Sequence, residues 1–120
     1  AQLVQFGGVP ALICEPDGPP LASREASDLV GEALSCDARL LVIPRARLSP
    51  DFLRLSSGLA GEMLQKFVNY GLRTAIVGDI AAETEASGAL RDFVRESNRG
   101  RQVWFVPDLA ALEKKLGQTA

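Results

Sequence analysis

Polar side chains that could bind a ligand or carry a modification gather around one predicted helix start in the middle of the chain. The turn consists of Ser56, Ser57 and Gly58. A helix start leaves backbone N–H groups without partners and carries a partial positive charge, so it suits a capping hydroxyl, a bound anion or a phosphoserine. Four polar residues follow at helical spacings, which places them on one flank of the helix: Glu62, Gln65, Lys66 and Asn69. This flank is either a solvated surface with a Glu62–Lys66 ion pair or a recognition surface for a protein or a polar ligand.

A second polar group is spread over the next strand and helix. Asp79 comes just after a predicted parallel strand, where ligand crevices form in open α/β sheets, although a carboxylate there also caps the following segment. Glu96, Asn98 and Arg99 close the next helix, where Asn98 tolerates a left-handed backbone and Arg99 suits the negative helix end. These four residues are a candidate polar pocket. Its carboxylates would favour magnesium or calcium if folding grouped them, but we predict no metal and no cofactor.

The residue types that are missing limit the chemistry. The chain contains no histidine, so a Ser-His-Asp or Cys-His catalytic site within it is excluded. Its two cysteines, Cys14 and Cys36, do not form a CxxC motif and are expected to be reduced, partly buried thiols. The sequence therefore favours a binding domain over an enzyme.

Length and composition indicate one globular domain over residues 1–120. The 120 residues are 47% apolar, enough for a hydrophobic core. The net charge of −2 gives no basic excess of the kind that nucleic-acid binders carry. No apolar stretch approaches the ~20 residues that cross a bilayer. We expect a bacterial, cytoplasmic protein that binds neither nucleic acid nor membrane.

Hydrophobic patterning predicts about five strands. Residues 3–6 and 9–14 flank Gly7-Gly8 and are typical of a β-hairpin, with Pro10 either preceding the second strand or placing it at an edge. Residues 39–43 form a near-continuous apolar run, typical of a strand covered on both faces, and residues 74–77 form the second central strand. Residues 102–106 form the last strand. Its adjacent Trp104 and Phe105 face opposite sides, so both are buried only if helices cover both faces; otherwise the exposed ring is an anchor for a partner.

Helical periodicity predicts four or so helices between and after these strands. The first starts at Ser23, the main one spans about 57–70, the third starts near Ser87, and the last covers 109–116. Ser49-Pro50-Asp51 is a helix-start signature that a short turn follows. The order β-β-α-β-α-β-α-β-α requires parallel pairing after the opening hairpin. The predicted fold class is therefore α/β, with a mixed, mostly parallel sheet.

The central half of the chain resembles a small bacterial family, domain of unknown function 4180. The residues that carry the resemblance lie between Phe52 and Gly100: Leu59-Ala60-Gly61-Glu62, Gln65-Lys66-Phe67, Asn69-Tyr70, Ala75-Ile76-Val77-Gly78-Asp79 and Glu96-Ser97-Asn98-Arg99-Gly100. The family has no established activity, so the resemblance implies a fold and no reaction.

A looser resemblance connects residues 40–67 with STAS domains, the fold of bacterial anti-sigma-factor antagonists. In that family a strand leads to an Asp-Ser-Ser-Gly-Leu turn that opens a helix, and here the turn reads Leu55-Ser56-Ser57-Gly58-Leu59. The family's phosphorylated serine corresponds to Ser57, while Leu55 replaces its aspartate. The resemblance implies a STAS-like topology.

Two functions are compatible with these observations. The first is a non-enzymatic protein-interaction or regulatory domain that binds a protein partner through the turn and its helix, and that forms a homodimer through an edge strand of the hairpin. The alternative is a small-ligand-binding or enzymatic domain with a polar site near Asp79, Glu96 and Asn98. A deep polar pocket would favour the alternative.

Overall fold

The computed structural model describes the backbone of residues 1–119 and the side chains of residues 1–117. Ala120, the last residue of the predicted domain, lies outside the described residues. The described chain folds into one α/β unit built around a single sheet, with a radius of gyration of 13.3 Å.

The sheet contains five strands that neighbour one another in chain order. The first, β1, pairs antiparallel with β2, and the pairs β2–β3, β3–β4 and β4–β5 are parallel. The strands are β1 Gln2–Phe6, β2 Val9–Ile13, β3 Leu40–Pro44, β4 Arg73–Val77 and β5 Val103–Val106. The predicted mixed sheet of about five strands is therefore confirmed.

Six α-helices occur in the described residues, two more than the predicted four or so. They are α1 Ser23–Ser35, α2 Pro50–Leu53, α3 Leu59–Asn69, α4 Ala81–Ala86, α5 Gly88–Arg99 and α6 Leu109–Thr119, with 3₁₀ turns at Arg45–Arg47 and Leu55–Ser57. The short α2 follows the Ser49-Pro50-Asp51 signature, and the Ser49 side chain caps it. The prediction missed α4 because none of its residues is buried, so it has no apolar stripe.

The hairpin turn follows the predicted chemistry, but Pro10 occupies an unexpected place. Gly7 and Gly8 have φ of 59° and 81°, the left-handed pair that a two-residue turn of this kind requires. Pro10 lies within β2, which is an inner strand rather than an edge. Its missing N–H costs no ladder bond because pairing with β3 begins at Ala11, while the Pro10 carbonyl accepts from Arg39 N–H at 2.8 Å.

Each face of the sheet carries its own hydrophobic cluster. On one face, strand residues such as Leu41 and Ile76 pack with residues of α1, α3 and α5, including Phe67 of α3 and Phe93 of α5. On the other face, Leu40 and its neighbours pack against α6. The sheet is thus the middle of three layers, which explains why β3 and β4 are apolar on both sides.

Trp104 and Phe105 confirm that both faces are covered. Trp104 is only 2% exposed and packs in the α6 layer, where its indole Nε1–H donates to Gly100 O at 2.8 Å. Phe105 lies on the opposite face, in edge contact with Phe93 of α5 at a ring-centroid distance of 6.0 Å. Neither ring is therefore an exposed anchor.

Within residues 1–119, no helix is both long enough and apolar enough to cross a membrane.

Candidate functional site

The serine-glycine turn is exposed and is connected by hydrogen bonds to α2 and to the start of α3. Gly58 has a φ of 81°, a left-handed conformation that glycine adopts without strain, and its carbonyl accepts the first helical bond from Glu62 N–H. The Ser57 hydroxyl donates to Asp51 O at 2.5 Å and accepts from Leu59 N–H at 3.2 Å. Ser57 therefore joins α2 to α3. The helix begins two residues later than predicted, because the serines form a 3₁₀ turn of their own.

The predicted flank of α3 is largely exposed, but one of its members is engaged elsewhere. Gln65 donates from its side-chain amide to Asn69 Oδ1 at 2.8 Å, and Glu62 is exposed. The Lys66 ammonium donates to the Ser27 hydroxyl of α1 at 2.7 Å, so the expected Glu62–Lys66 pairing is replaced by a contact between two helices. We call the surface formed by Ser56, Ser57, Gly58, Glu62, Gln65, Lys66 and Asn69 the turn–helix face.

The second predicted group is divided among different surroundings. Asp79 Oδ1 accepts from Ala81 N–H at 2.9 Å and so caps the start of α4, in a recess of about 220 Å³. Asn98 and Arg99 line an open groove of about 820 Å³ on α5, which shares Thr84 and Val94 with that recess. Glu96 lines neither, and its carboxylate pairs with Arg99 at 3.0 Å.

Asn98 has a specific partner that the sequence did not predict. Its side-chain oxygen accepts from Phe105 N–H at 2.7 Å, and its side-chain nitrogen donates to Phe105 O at 3.2 Å. The side chain of Asn98 thus satisfies both backbone groups of one β5 residue, as a neighbouring strand would. It acts as a structural clamp between α5 and β5.

A cavity that sequence reasoning missed lies beyond the end of β3 and beside the turn. Its volume is about 610 Å³, and Ser56 of the turn–helix face forms part of its wall. Six of the other lining residues are apolar: Leu48, Pro50, Leu53, Leu55, Ala86 and Ala89. The remaining four are Arg45, Arg54, Glu83 and Ser87, and Arg45 forms an ion pair with Glu83. The only signal in the sequence was Arg45, a cation directly after an apolar strand.

The Arg45 side chain packs against the backbone of Gly78, just after the end of β4. Gly78 has a φ of 145°, and a Cβ atom there would lie 2.6 Å from Arg45 Cβ. Only glycine therefore lets Arg45 pass over this strand end toward Glu83 of α4. The Arg45 Nε–H is buried and has no hydrogen-bond partner among the described residues, while the guanidinium as a whole stays partly exposed.

The cysteines are reduced thiols, as predicted. Cys14 is buried beside β3 and Cys36 is half-buried at the end of α1. Burial raises the pKa of the Cys14 thiol above its ordinary value, because the thiolate would lose its hydration. Among residues 1–119, no three cysteine or carboxylate side chains are grouped so that they could hold a metal ion.

Comparison with protein families identifies the domain. The sequence model of DUF4180, described as a domain of unknown function, matches residues 6–116. The chain belongs to this family. The match contains both predicted polar groups and the Arg45 cavity, and it confirms the resemblance found in the central half of the sequence. The looser similarity to STAS domains stays a prediction. No curated protein and no solved structure matches the chain.

Proposed function

We propose that this chain is a non-enzymatic, cytoplasmic interaction or regulatory domain whose protein partner docks on the turn–helix face. The observation that carries the proposal is the set of hydrogen bonds that position polar groups on this exposed surface. Ser57 is bonded on two sides, and Gln65 is bonded to Asn69, so their polar groups already have defined positions. A preorganised surface loses little conformational entropy on binding. The net charge of −2 supports a protein partner over a nucleic acid.

The similarity to STAS domains supports the same surface. In both cases a serine-glycine turn opens a helix that packs on a mixed sheet. We include in the proposal a STAS-like topology and regulation by phosphate on Ser57. That phosphate would remove the donor to Asp51 O and add negative charge at the start of α3, so it would alter partner binding more than the fold. Two departures qualify the match: Leu55 replaces an aspartate, and residues 45–54 separate the turn from β3.

The test is affinity capture from the native cell, followed by binding measurements with the purified partner. The variant Gln65→Arg/Asn69→Arg changes two exposed residues of the turn–helix face, and Glu113→Arg changes an exposed position of α6 as the matched control. We expect the double variant to weaken binding at least tenfold, about 1.4 kcal/mol, and the control to bind like the unmodified chain. Equal binding by all three proteins would refute the assignment of this face.

The effect of phosphate is tested on the same purified pair. Ser57→Asp adds charge at the turn, and Ser57→Ala removes the hydroxyl without adding charge. We expect the aspartate variant to change the affinity beyond the change caused by alanine, while the two variants have similar unfolding temperatures. Mass spectrometry that finds only unmodified Ser57 under every growth condition would remove the regulatory part of the proposal.

The Arg45 cavity supports a second candidate function, the binding of a small molecule. Its volume of about 610 Å³ is in the usual range of ligand sites, and six of its eleven lining residues are apolar. The Arg45 side chain in its wall favours a ligand with an apolar body and one acceptor group such as a carboxylate. This location is distinct from Asp79, Glu96 and Asn98, none of which lines the cavity.

The second function is tested by screening small carboxylic acids with ligand-observed NMR. We expect aliphatic acids to bind the unmodified chain and the control Arg91→Met, whose position lies in the separate α5 groove. Binding should be lost in Arg45→Met, which keeps an apolar side chain over Gly78. Binding that survives Arg45→Met would place the ligand elsewhere.

A further inference from the structure

The two edges of the sheet differ in whether other parts of the molecule cover their backbone groups. Strand β5 forms one edge and β1 forms the other. An edge strand offers unpaired N–H and C=O groups to any strand that approaches, so natural proteins cover or charge their edges. Which backbone groups point outward at each edge follows from the hydrogen bonds of the inner strands.

The β5 edge is closed. Thr74 N–H donates to Gln102 O and Gly78 N–H donates to Val106 O, so the even-numbered residues of this segment face β4. Because the backbone N–H and C=O groups of successive strand residues point to opposite sides, those of Val103 and Phe105 point outward, away from β4. Asn98 already occupies both outward groups of Phe105, at 2.7 and 3.2 Å. An incoming strand would have to displace this side chain.

The β1 edge is open. Cys14 N–H donates to Val42 O, and Pro10 O accepts from Arg39 N–H. The backbone N–H and C=O groups of even-numbered residues in β2 therefore point toward β3, and those of odd-numbered residues point toward β1. The β1 residues opposite those odd-numbered positions are Gln2, Val4 and Phe6, so the backbone groups of Leu3 and Gln5 point outward.

No feature that usually protects an edge is present in β1. Its five residues, QLVQF, include no charge and no proline, and the five consecutive pairs with β2 leave no bulge. Leu3 and Gln5, whose backbone groups point outward, are both exposed to solvent, and Leu3 keeps 44% of its surface accessible.

We propose that two copies of this chain pair antiparallel through β1, so that their sheets join into one sheet across a twofold axis at Val4. Because Asn98 blocks the β5 edge at Phe105, this edge is a poor partner for β1, and we expect association to be isologous and to stop at two copies. This inference does not depend on the turn–helix face and goes beyond the proposed partner binding.

The twofold axis fixes the register. Leu3 of each copy lies opposite Gln5 of the other, and each such pair exchanges two backbone hydrogen bonds. Val4 of one copy lies opposite Val4 of the other, with Cβ atoms about 5 Å apart. Registers centred elsewhere would leave Leu3 or Gln5 without a β1 partner. The contact is small, so we expect an equilibrium between monomer and dimer that depends on concentration.

The first test is sedimentation equilibrium over a wide range of protein concentrations. Gln5→Pro removes an outward N–H, and Gln5→Thr keeps it in a residue that suits strands. Val103→Pro removes the corresponding outward N–H at the other edge, at the first residue of β5, where proline is tolerated. We expect dimers from the unmodified chain, Gln5→Thr and Val103→Pro, and at least tenfold weaker dimerisation of Gln5→Pro. A chain that stays monomeric, or that dimerises equally well as Gln5→Pro, overturns the proposal.

Disulfide trapping tests the register without relying on proline. In a Cys36→Ser background, Val4→Cys brings two thiols together at the twofold axis, whereas Leu3→Cys places each thiol opposite Gln5 of the second copy. Mild oxidation should link Val4→Cys into covalent dimers at least tenfold faster than Leu3→Cys. Equal rates, or faster linkage of Leu3→Cys, would contradict the proposed pairing.

Discussion

Replacing Asn98 with alanine removes the clamp between α5 and the edge of the sheet. The change deletes two hydrogen bonds, each worth about 1 kcal/mol net, and leaves the Phe105 backbone groups without their partners, which adds about 1 kcal/mol. Alanine favours the helix over asparagine by about 0.5 kcal/mol, which offsets part of the loss. We expect a net destabilisation of about 2.5 kcal/mol, or a fall in Tm of about 10 °C for a domain of this size.

Urea unfolding followed by circular dichroism measures this difference. Asn69→Ala is the matched control, because its side chain also accepts an amide hydrogen bond within a helix but is exposed; it should change stability by less than about 0.5 kcal/mol. Asn98→Asp keeps the acceptor for Phe105 N–H and loses the donor, so its stability should lie between those of the unmodified chain and Asn98→Ala. If Asn98→Ala unfolds at the same urea concentration as Asn69→Ala, the clamp does not stabilise the fold.

Three further predictions concern the end of β4 and the buried thiol. Gly78→Ala should destabilise the fold by about 3 kcal/mol, because the new Cβ collides with Arg45 at a backbone conformation that alanine avoids; thermal unfolding that matches the unmodified chain would refute this. Cys14 should react with a thiol reagent at least tenfold more slowly than Cys36 at neutral pH, because it is buried and its pKa is raised. Above about pH 8.5 the folded state keeps the Cys14 thiol proton, whereas the unfolded chain releases it, so the free energy of unfolding should decrease as the pH rises. The variant Cys14→Ser should show a smaller decrease of the unfolding free energy with pH. A slope that is unchanged in Cys14→Ser would assign the pH dependence to other groups.

The strands and the main helices could be predicted because their signals are local. The continuous apolar run in β3 indicates burial on both faces, and Gly7-Gly8 supplies the left-handed conformations that a tight hairpin needs. Ser87 was identified near the start of the third long helix, and its hydroxyl caps α5 by accepting from Leu90 N–H. Each of these features depends on residues that are neighbours in the sequence. Helix α4 lacks such a signal, because no apolar periodicity distinguishes it from a polar loop.

The candidate sites depend on contacts that the sequence does not encode locally. The serine turn was recognised from its residues, but only the fold showed that Ser56 forms part of a cavity wall. Arg45 and Glu83 are 38 positions apart and meet because β3 and β4 are parallel neighbours.

By itself, the sequence determined the strands, the long helices and the family, since these follow from hydrophobic periodicity, turn residues and shared motifs. The tertiary structure decided what the polar residues do. A side chain such as Asn98 has several possible partners, and it binds Phe105 because the packing of α5 on the sheet places that backbone within hydrogen-bonding distance. The same placement closes one edge of the sheet and leaves the other open, a difference that no local pattern in the chain contains.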